Sequence, residues 1–314
     1  MAFVFAVVGF VTANALLSLF TALVWRGVRR YTISADALFF LRMFPALGSA
    51  AFVLGVILPA YWFFEPRGTS ERAGPALGMV AVIAFTLLAA GLRRLLSSLR
   101  ETHRLERAWK AAAVETVDAG LRVPVYRVRS SLPIAALAGS FRPRLFVSDR
   151  LLNALLPGER RAVMDHEAAH VRALDNLKRT AIKLAPDVLS FLPAGREIEA
   201  AWTIAAEEDA DDRAAGPDGA RSLDLASALI KASRLSPSHC PDVSNFCDES
   251  TIVRRVARLL EDRPRREASR ARRAVRVAIV IVTLFGLSLS AESGLRAAYT
   301  LTEATVRFLH YGPW

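Results

Sequence analysis

Hydrophobic and polar positions fall in long blocks along this chain. Residues 1–25 carry no charged side chain, and a helix needs about 20 apolar residues to cross the hydrocarbon core of a bilayer. A second uncharged run covers residues 43–64 and gives way to the polar loop Glu65, Pro66, Arg67, Gly68; a third covers residues 73–92 and stops at Arg93 and Arg94. With their flanking turns these runs predict three transmembrane helices at about 1–25, 39–64 and 73–95. A cleaved leader would want its basic residues before the apolar core, but here Arg26, Arg29 and Arg30 follow it, so the first run reads as a span. Arg42 sits inside the start of the second helix. It either snorkels to the interface, the reading preferred here, or pairs with a buried carboxylate. A fourth apolar run, residues 277–291, lies between Arg276 and Glu292. It spans only if Arg273 and Arg276 snorkel and the helix continues past Gly294; an interfacial helix is the alternative.

Between the third and fourth runs the pattern changes. Residues 101–115 read as an amphipathic helix continuing out of the membrane. Short extended runs at 121–128, 132–138 and 144–147, punctuated by Gly139 and Pro143, suggest a small sheet. From Pro157 and Gly158, with Glu159 in the first turn, the pattern is helical, and a second helix begins near Arg196. The organisation expected is three membrane helices in 1–100, a mixed domain in 101–271, and a fourth membrane helix with a short tail in 272–314.

Composition agrees with a lipid bilayer as partner, because 53 % of the 314 residues are hydrophobic. The net charge of +11 raises nucleic acid as a partner. The basic residues cluster beside the apolar runs, however, and form no stripe with interleaved aromatics, so no nucleic-acid partner is expected. Their placement orients the spans instead. Residues 26–36 hold three Arg against one Asp, 93–110 six basic against two acidic, and 263–276 seven Arg against one Glu, while 65–73 and 292–314 hold two of each sign. Lys and Arg concentrate on the cytoplasmic side. The N-terminus and C-terminus are therefore expected outside, and the 101–271 domain in the cytoplasm. Cys240 and Cys247, with His239 beside the first, are half a metal site at most and read as ordinary reduced thiols.

The helix after Pro157 carries His166-Glu167-Ala168-Ala169-His170. Positions i and i+4 share a helical face, so both imidazoles can reach one ion while Glu167 lies beside them as a base for water. The bland alternative is a pair of polar surface histidines. Zinc suits the motif, since it takes nitrogen donors in a tetrahedron and lowers the pKa of its water to about 7. A third ligand is available in Glu207-Glu208-Asp209-Ala210-Asp211 on the second helix. Glu207 is the expected metal ligand, and Asp211, four residues on, can then orient an imidazole.

Three stretches carry a family resemblance: Val123-Pro124-Val125-Tyr126, Gly139-Ser140-Phe141-Arg142-Pro143-Arg144-Leu145-Phe146-Val147, and residues 159–176. Together with Asp175, five residues past His170, and the E-x-x-[AC]-D context of Glu207 to Asp211, they make most of the chain similar to the BlaR1/MecR1-type membrane metallopeptidases, peptidase family M56. More distantly it resembles the Ste24/HtpX-type peptidases of family M48, which share the E-x-x-A-D form. The resemblance implies an α+β protein: a four-helix transmembrane bundle carrying a mostly helical cytoplasmic zincin-like (gluzincin) metalloprotease domain with a small sheet. It implies Zn2+ on His166, His170 and Glu207, with Glu167 catalytic and Asp211 and Asp175 behind the ligands. It also implies an enzyme of the bacterial cytoplasmic membrane that cleaves a cytoplasmic protein, for example a dimeric transcriptional repressor. Quality-control proteolysis of the HtpX kind and a non-catalytic zinc-containing transducer are the rival functions. Only about 20 residues follow the fourth run, too few for the extracellular penicillin-binding sensor domain of the antibiotic-sensing members.

Overall fold

In the computed structural model, residues 2–64, 75–117, 122–216, 219–235, 249–261 and 292–311 are described. The expected fourth span at 277–291, and His239, Cys240 and Cys247, lie outside them. The chain is mostly helical and divides into two compact units.

The first unit contains residues 1–94, 182–202 and 267–314. Its long elements are α1 (Ala2–Val28), α2 (Ala35–Phe52), a π-helical turn at Val53–Ile57, α3 (Leu58–Phe64) and the start of α4 (Pro75–Ala111). Three stretches, Ala2–Val28, Ala35–Phe64 and Leu77–Ala111, are long and apolar enough to cross a membrane. Their outward faces carry Phe3, Leu16, Phe20, Leu47, Trp62, Met79 and Phe85 exposed, as hydrocarbon contact requires. The inward faces pack closely where side chains are small: a Cβ on Gly9 would meet Ile57, and one on Gly48 would meet Leu17.

Residues 182–202 belong to this unit although the sequence places them inside an uninterrupted 101–271 domain. The reason is a polar fit. Near the middle of α1, Asn14 donates to Pro186 O (3.2 Å) and accepts from the Val188 N–H (2.9 Å), and Ser18 accepts from the Leu189 N–H (3.1 Å). Irregular backbone packed against an apolar helix needs protein groups to satisfy its N–H and C=O, and these two side chains supply them. From α2, Arg42 donates to Asp187 (2.7 Å), Glu199 (2.9 Å) and Ser190 (2.8 Å) with no exposed surface of its own. Arg42 is thus a buried ion-pair partner and does not snorkel. After the fourth run, Glu292–Tyr311 forms a helix, α11 as numbered below, whose Leu295, Ala298 and Val306 pack against Phe5, Val56, Ile57 and Ala60.

The second unit, residues 95–181 and 203–266, holds the sheet and the remaining helices. Four strands, β1 (Ala113–Val117), β2 (Val125–Val128), β3 (Ala135–Ala138) and β4 (Arg144–Ser148), lie in the order β1-β2-β4-β3. The central β2–β4 pair is parallel and the outer pairs antiparallel. Residues 113–115, expected to end a helix, instead form β1, because α4 stops at Ala111 and the following residues pair with β2. One face of the sheet buries Val125, Leu145 and Val147 with Leu151 of α5 (Asp149–Ala154) and Val163 of α6 (Pro157–Ala173). The other buries Val128, Ala138 and Phe146 beneath Trp109. α7 (Asp175–Leu184), α8 (Pro193–Ala215), α9 (Ser222–Leu235), α10 (Glu249–Leu260) and α11 complete the helices. Ala162, Ala214, Leu225, Leu229, Ile252 and Leu259 form the core that binds α6 and α8 to α9 and α10.

Candidate metal and catalytic site

Helix α6 presents both histidines of the motif. It opens at Pro157, and the Glu159 carboxylate accepts from the Leu156 N–H at 2.7 Å, the cap that starts the helix. Glu159 is itself fixed by Ser227 (2.6 Å) and Lys231 (2.7 Å) of α9. The helix ends at Leu174, whose backbone is left-handed (φ 58°). That reversal turns the chain so that Asp175, the first residue of α7, reaches back to His170.

Glu207 on α8 meets the two imidazoles. Its carboxylate oxygens lie 3.5 Å from His166 Nε2 and 3.6 Å from His170 Nε2, and the two Nε2 atoms are 3.2 Å apart. One donor atom from each of the three residues lies within 4.8 Å of the others. Each ring is backed at its far nitrogen by a carboxylate: His170 Nδ1 is 2.7 Å from Asp175 Oδ2, and His166 Nδ1 is 3.0 Å from Asp211 Oδ1, in ion-pair range though off the line of a well-aimed hydrogen bond. A carboxylate at Nδ1 fixes the proton there and leaves the Nε2 lone pair for a metal. Two imidazole nitrogens and one carboxylate oxygen, with room left for water, form the donor set of a catalytic zinc site, so the residues fit that ion.

A fourth helix contributes a side chain that the sequence reading does not single out. Arg255 of α10 is 2 % exposed and grips Asp211 with two nitrogens (2.8 and 2.7 Å) while a third stands 3.1 Å from Glu207. It sits in the run Arg254, Arg255, and charge alone marks it as surface. The signal is positional: Ile252, Val256 and Leu259 pack into the core, and position 255 lies on their side of the helix.

The electrostatics follow from this packing. Burial would raise the Glu207 carboxyl, but His166 and Arg255 outweigh it and hold it well below the usual carboxylate range. Asp211 is pulled down against its own burial by Arg255 and His166. Burial would lower the His166 imidazole, yet Asp211 and Glu207 push it up to about 10 in the metal-free site. Glu167 behaves differently: burial pushes its carboxyl up, and the neighbouring imidazoles only partly offset this. Glu167 lines a hollow of about 120 Å³ together with His166, His170, Glu207, Arg255 and residues 135–137 of strand β3.

Thus the structure brings His166, Glu167, His170, Asp175, Glu207 and Asp211 into one neighbourhood and adds Arg255. The sequence model of peptidase family M48 matches residues 99–232. The matched stretch contains all six expected site residues and ends short of Arg255; it supports a metallopeptidase of the membrane type. No curated protein matches the chain.

Proposed function

We propose that this chain is a membrane-embedded zinc endopeptidase of the Ste24/HtpX kind, cleaving unfolded or misassembled proteins rather than one dedicated repressor. The observation that carries the reading is the convergence of His166, His170 and Glu207 donor atoms within 4.8 Å, with Glu167 lining the same hollow. The family model that matches residues 99–232 is that of M48, which weighs toward the quality-control alternative over repressor cleavage. Three apolar helices support membrane insertion. The excess of Arg and Lys at 26–36, 93–110 and 263–276 supports a cytoplasmic position for the peptidase domain, with both chain ends outside.

His166, His170 and Glu207 would hold the ion, and zinc bound there supplies a Lewis acid that polarises the scissile carbonyl and acidifies water to a pKa of about 7. The remaining work falls to the chain itself. Glu167, whose carboxyl burial pushes up, takes a proton from the attacking water and passes it to the departing amine nitrogen. Asp211 and Asp175 orient the two imidazoles. Arg255 fixes the Glu207 and Asp211 carboxylates at once, so the third ligand arrives already aimed. A purely structural zinc site has no use for a base beside the metal, and the presence of Glu167 therefore favours catalysis over a signal transducer.

The test is a comparison of cleaved proteins between cells with the wild-type chain and cells with Glu167→Gln. Fragments of many unrelated proteins are expected to disappear with the variant while its zinc content stays unchanged. Cleavage retained by Glu167→Gln would remove the glutamate from its role, and loss of one or two fragments alone would return the regulatory reading.

A further inference from the structure

Strand β3 is an edge of the sheet, and its register decides which groups it offers. Ser148 donates to Ile134 O (2.8 Å), while Leu145 donates the other way, to Pro124 O (3.0 Å) at the β2 side. Bonds therefore alternate along β4, and with Ala136 opposite Phe146 the residues of β3 that point away from the sheet are Ala135 and Leu137. Asn176 of α7 occupies part of that edge. Its side-chain amide donates to Leu137 O (3.1 Å) and Gly139 O (3.0 Å). What remains for an incoming strand is a short ladder: the Ala135 N–H, the Ala135 carbonyl and the Leu137 N–H. Beyond Leu137 a bound peptide has no carbonyl to pair with and must leave the edge.

Where it leaves there is a second hollow, of about 220 Å³. It shares Ala136, Leu137, Asn176 and Arg179 with the hollow that holds the metal ligands. Its far wall is made by Leu105 and Trp109 of α4, and its hydroxyls come from Thr102, Ser140 and Thr180. These hydroxyls have largely spent their protons. Thr102 donates to Ser98 O (2.9 Å), Thr180 to Asn176 O (2.8 Å), and Ser140 and Thr180 share a bond of 2.6 Å. Their lone pairs remain as acceptors.

Resting on the peptidase reading above, we propose that this second hollow is the specificity pocket for substrate, taking one aromatic side chain with a donor at its tip, tyrosine or tryptophan. Asn176 sets its distance from the cut bond by ending strand pairing at Leu137. The aromatic body lies along Leu105 and Trp109 and the O–H or N–H reaches the Thr102 and Thr180 oxygens. Arg179 at the junction of the two hollows disfavours a cationic side chain there.

Two measurements test this on the full chain in detergent. In the first, the zinc-loaded protein cuts a degenerate peptide library and the sites are read by mass spectrometry. Tyrosine and tryptophan should be enriched at one position a few residues from the cut, and in Asn176→Ala the same residues should appear at several distances. In the second, fluorescent peptides bind the Glu167→Gln protein. A tyrosine peptide should bind about tenfold more tightly than its alanine counterpart, and Thr102→Trp, which fills the hollow, should bring that ratio close to one with zinc content unchanged. Cutting without positional preference, or a tyrosine preference untouched by Thr102→Trp, would overturn the pocket and leave the peptidase reading standing. Selective binding without any cutting would do the reverse.

Discussion

Asp175 and Asp211 occupy equivalent places behind the two histidines, but they should fail differently. Asp175→Asn removes the carboxylate 2.7 Å from His170 Nδ1, and the Lys178 ammonium is 4.0 Å from that carboxylate. Loss of such a partner typically weakens metal binding by 10- to 100-fold, about 1.4 to 2.8 kcal/mol, and little else should change. Asp211→Asn removes the same support from His166, but it also removes the charge from the bidentate partner of Arg255. That guanidinium is 2 % exposed, and removing one partner of a buried ion pair costs about 3–5 kcal/mol. Glu207, 3.1 Å from the third nitrogen, keeps part of the compensation, so the low end of that range, about 3 kcal/mol, is expected. Zinc affinity by competition with a chromophoric chelator should therefore fall for both variants. Thermal melts of the metal-free protein in detergent should shift only for Asp211→Asn. Unchanged zinc affinity in both, or a larger stability loss for Asp175→Asn, would refute the assignment of these carboxylates.

Three further outcomes are expected. Because His166 is raised from 6.5 to about 10, its proton stabilises the metal-free fold fully below about pH 6.5 and loses that effect as pH rises through 10; metal-free melts should weaken over this window and His166→Gln should flatten the dependence. For the same reason zinc must displace that proton, so affinity should rise with pH below 10, with proton release visible by calorimetry in two buffers. Arg42→Met should destabilise the first unit by about 3–5 kcal/mol, since it removes the buried guanidinium that pairs with Asp187 and Glu199; adding Asp187→Leu should recover part of the loss in detergent melts, and no recovery would mean that the pair is not the source.

The metal site was legible where chemistry and period coincide. His166 and His170 share a face by spacing alone, and Glu207 with Asp211 repeats the same four-residue step on another helix, so both halves can be read before any fold is known. Arg255 was hidden, because a lone arginine in a basic stretch reads as solvated until the apolar neighbours of its helix reveal which side is covered. Strand β1 was misread for a related reason: Glu101 to Glu115 carries helix-forming charge spacing, and only pairing with β2 pulls residues 113–117 into the sheet. The three long apolar runs were plain from composition. The place of residues 182–202 was not, since Asp187 and Glu199 are ordinary surface residues until Arg42 is seen to face them.

That last arrangement makes the catalytic half inseverable from its anchor by a single cut. A fragment beginning at residue 95 would contain every side chain of the metal site, yet the amides of Val188 and Leu189 would lose Asn14 and Ser18, and Asp187 would lose its guanidinium. Attempts to make a soluble excised peptidase should therefore yield aggregates, and dissection would have to replace the strip between α7 and α8 with a short polar turn before the remainder could stand in water.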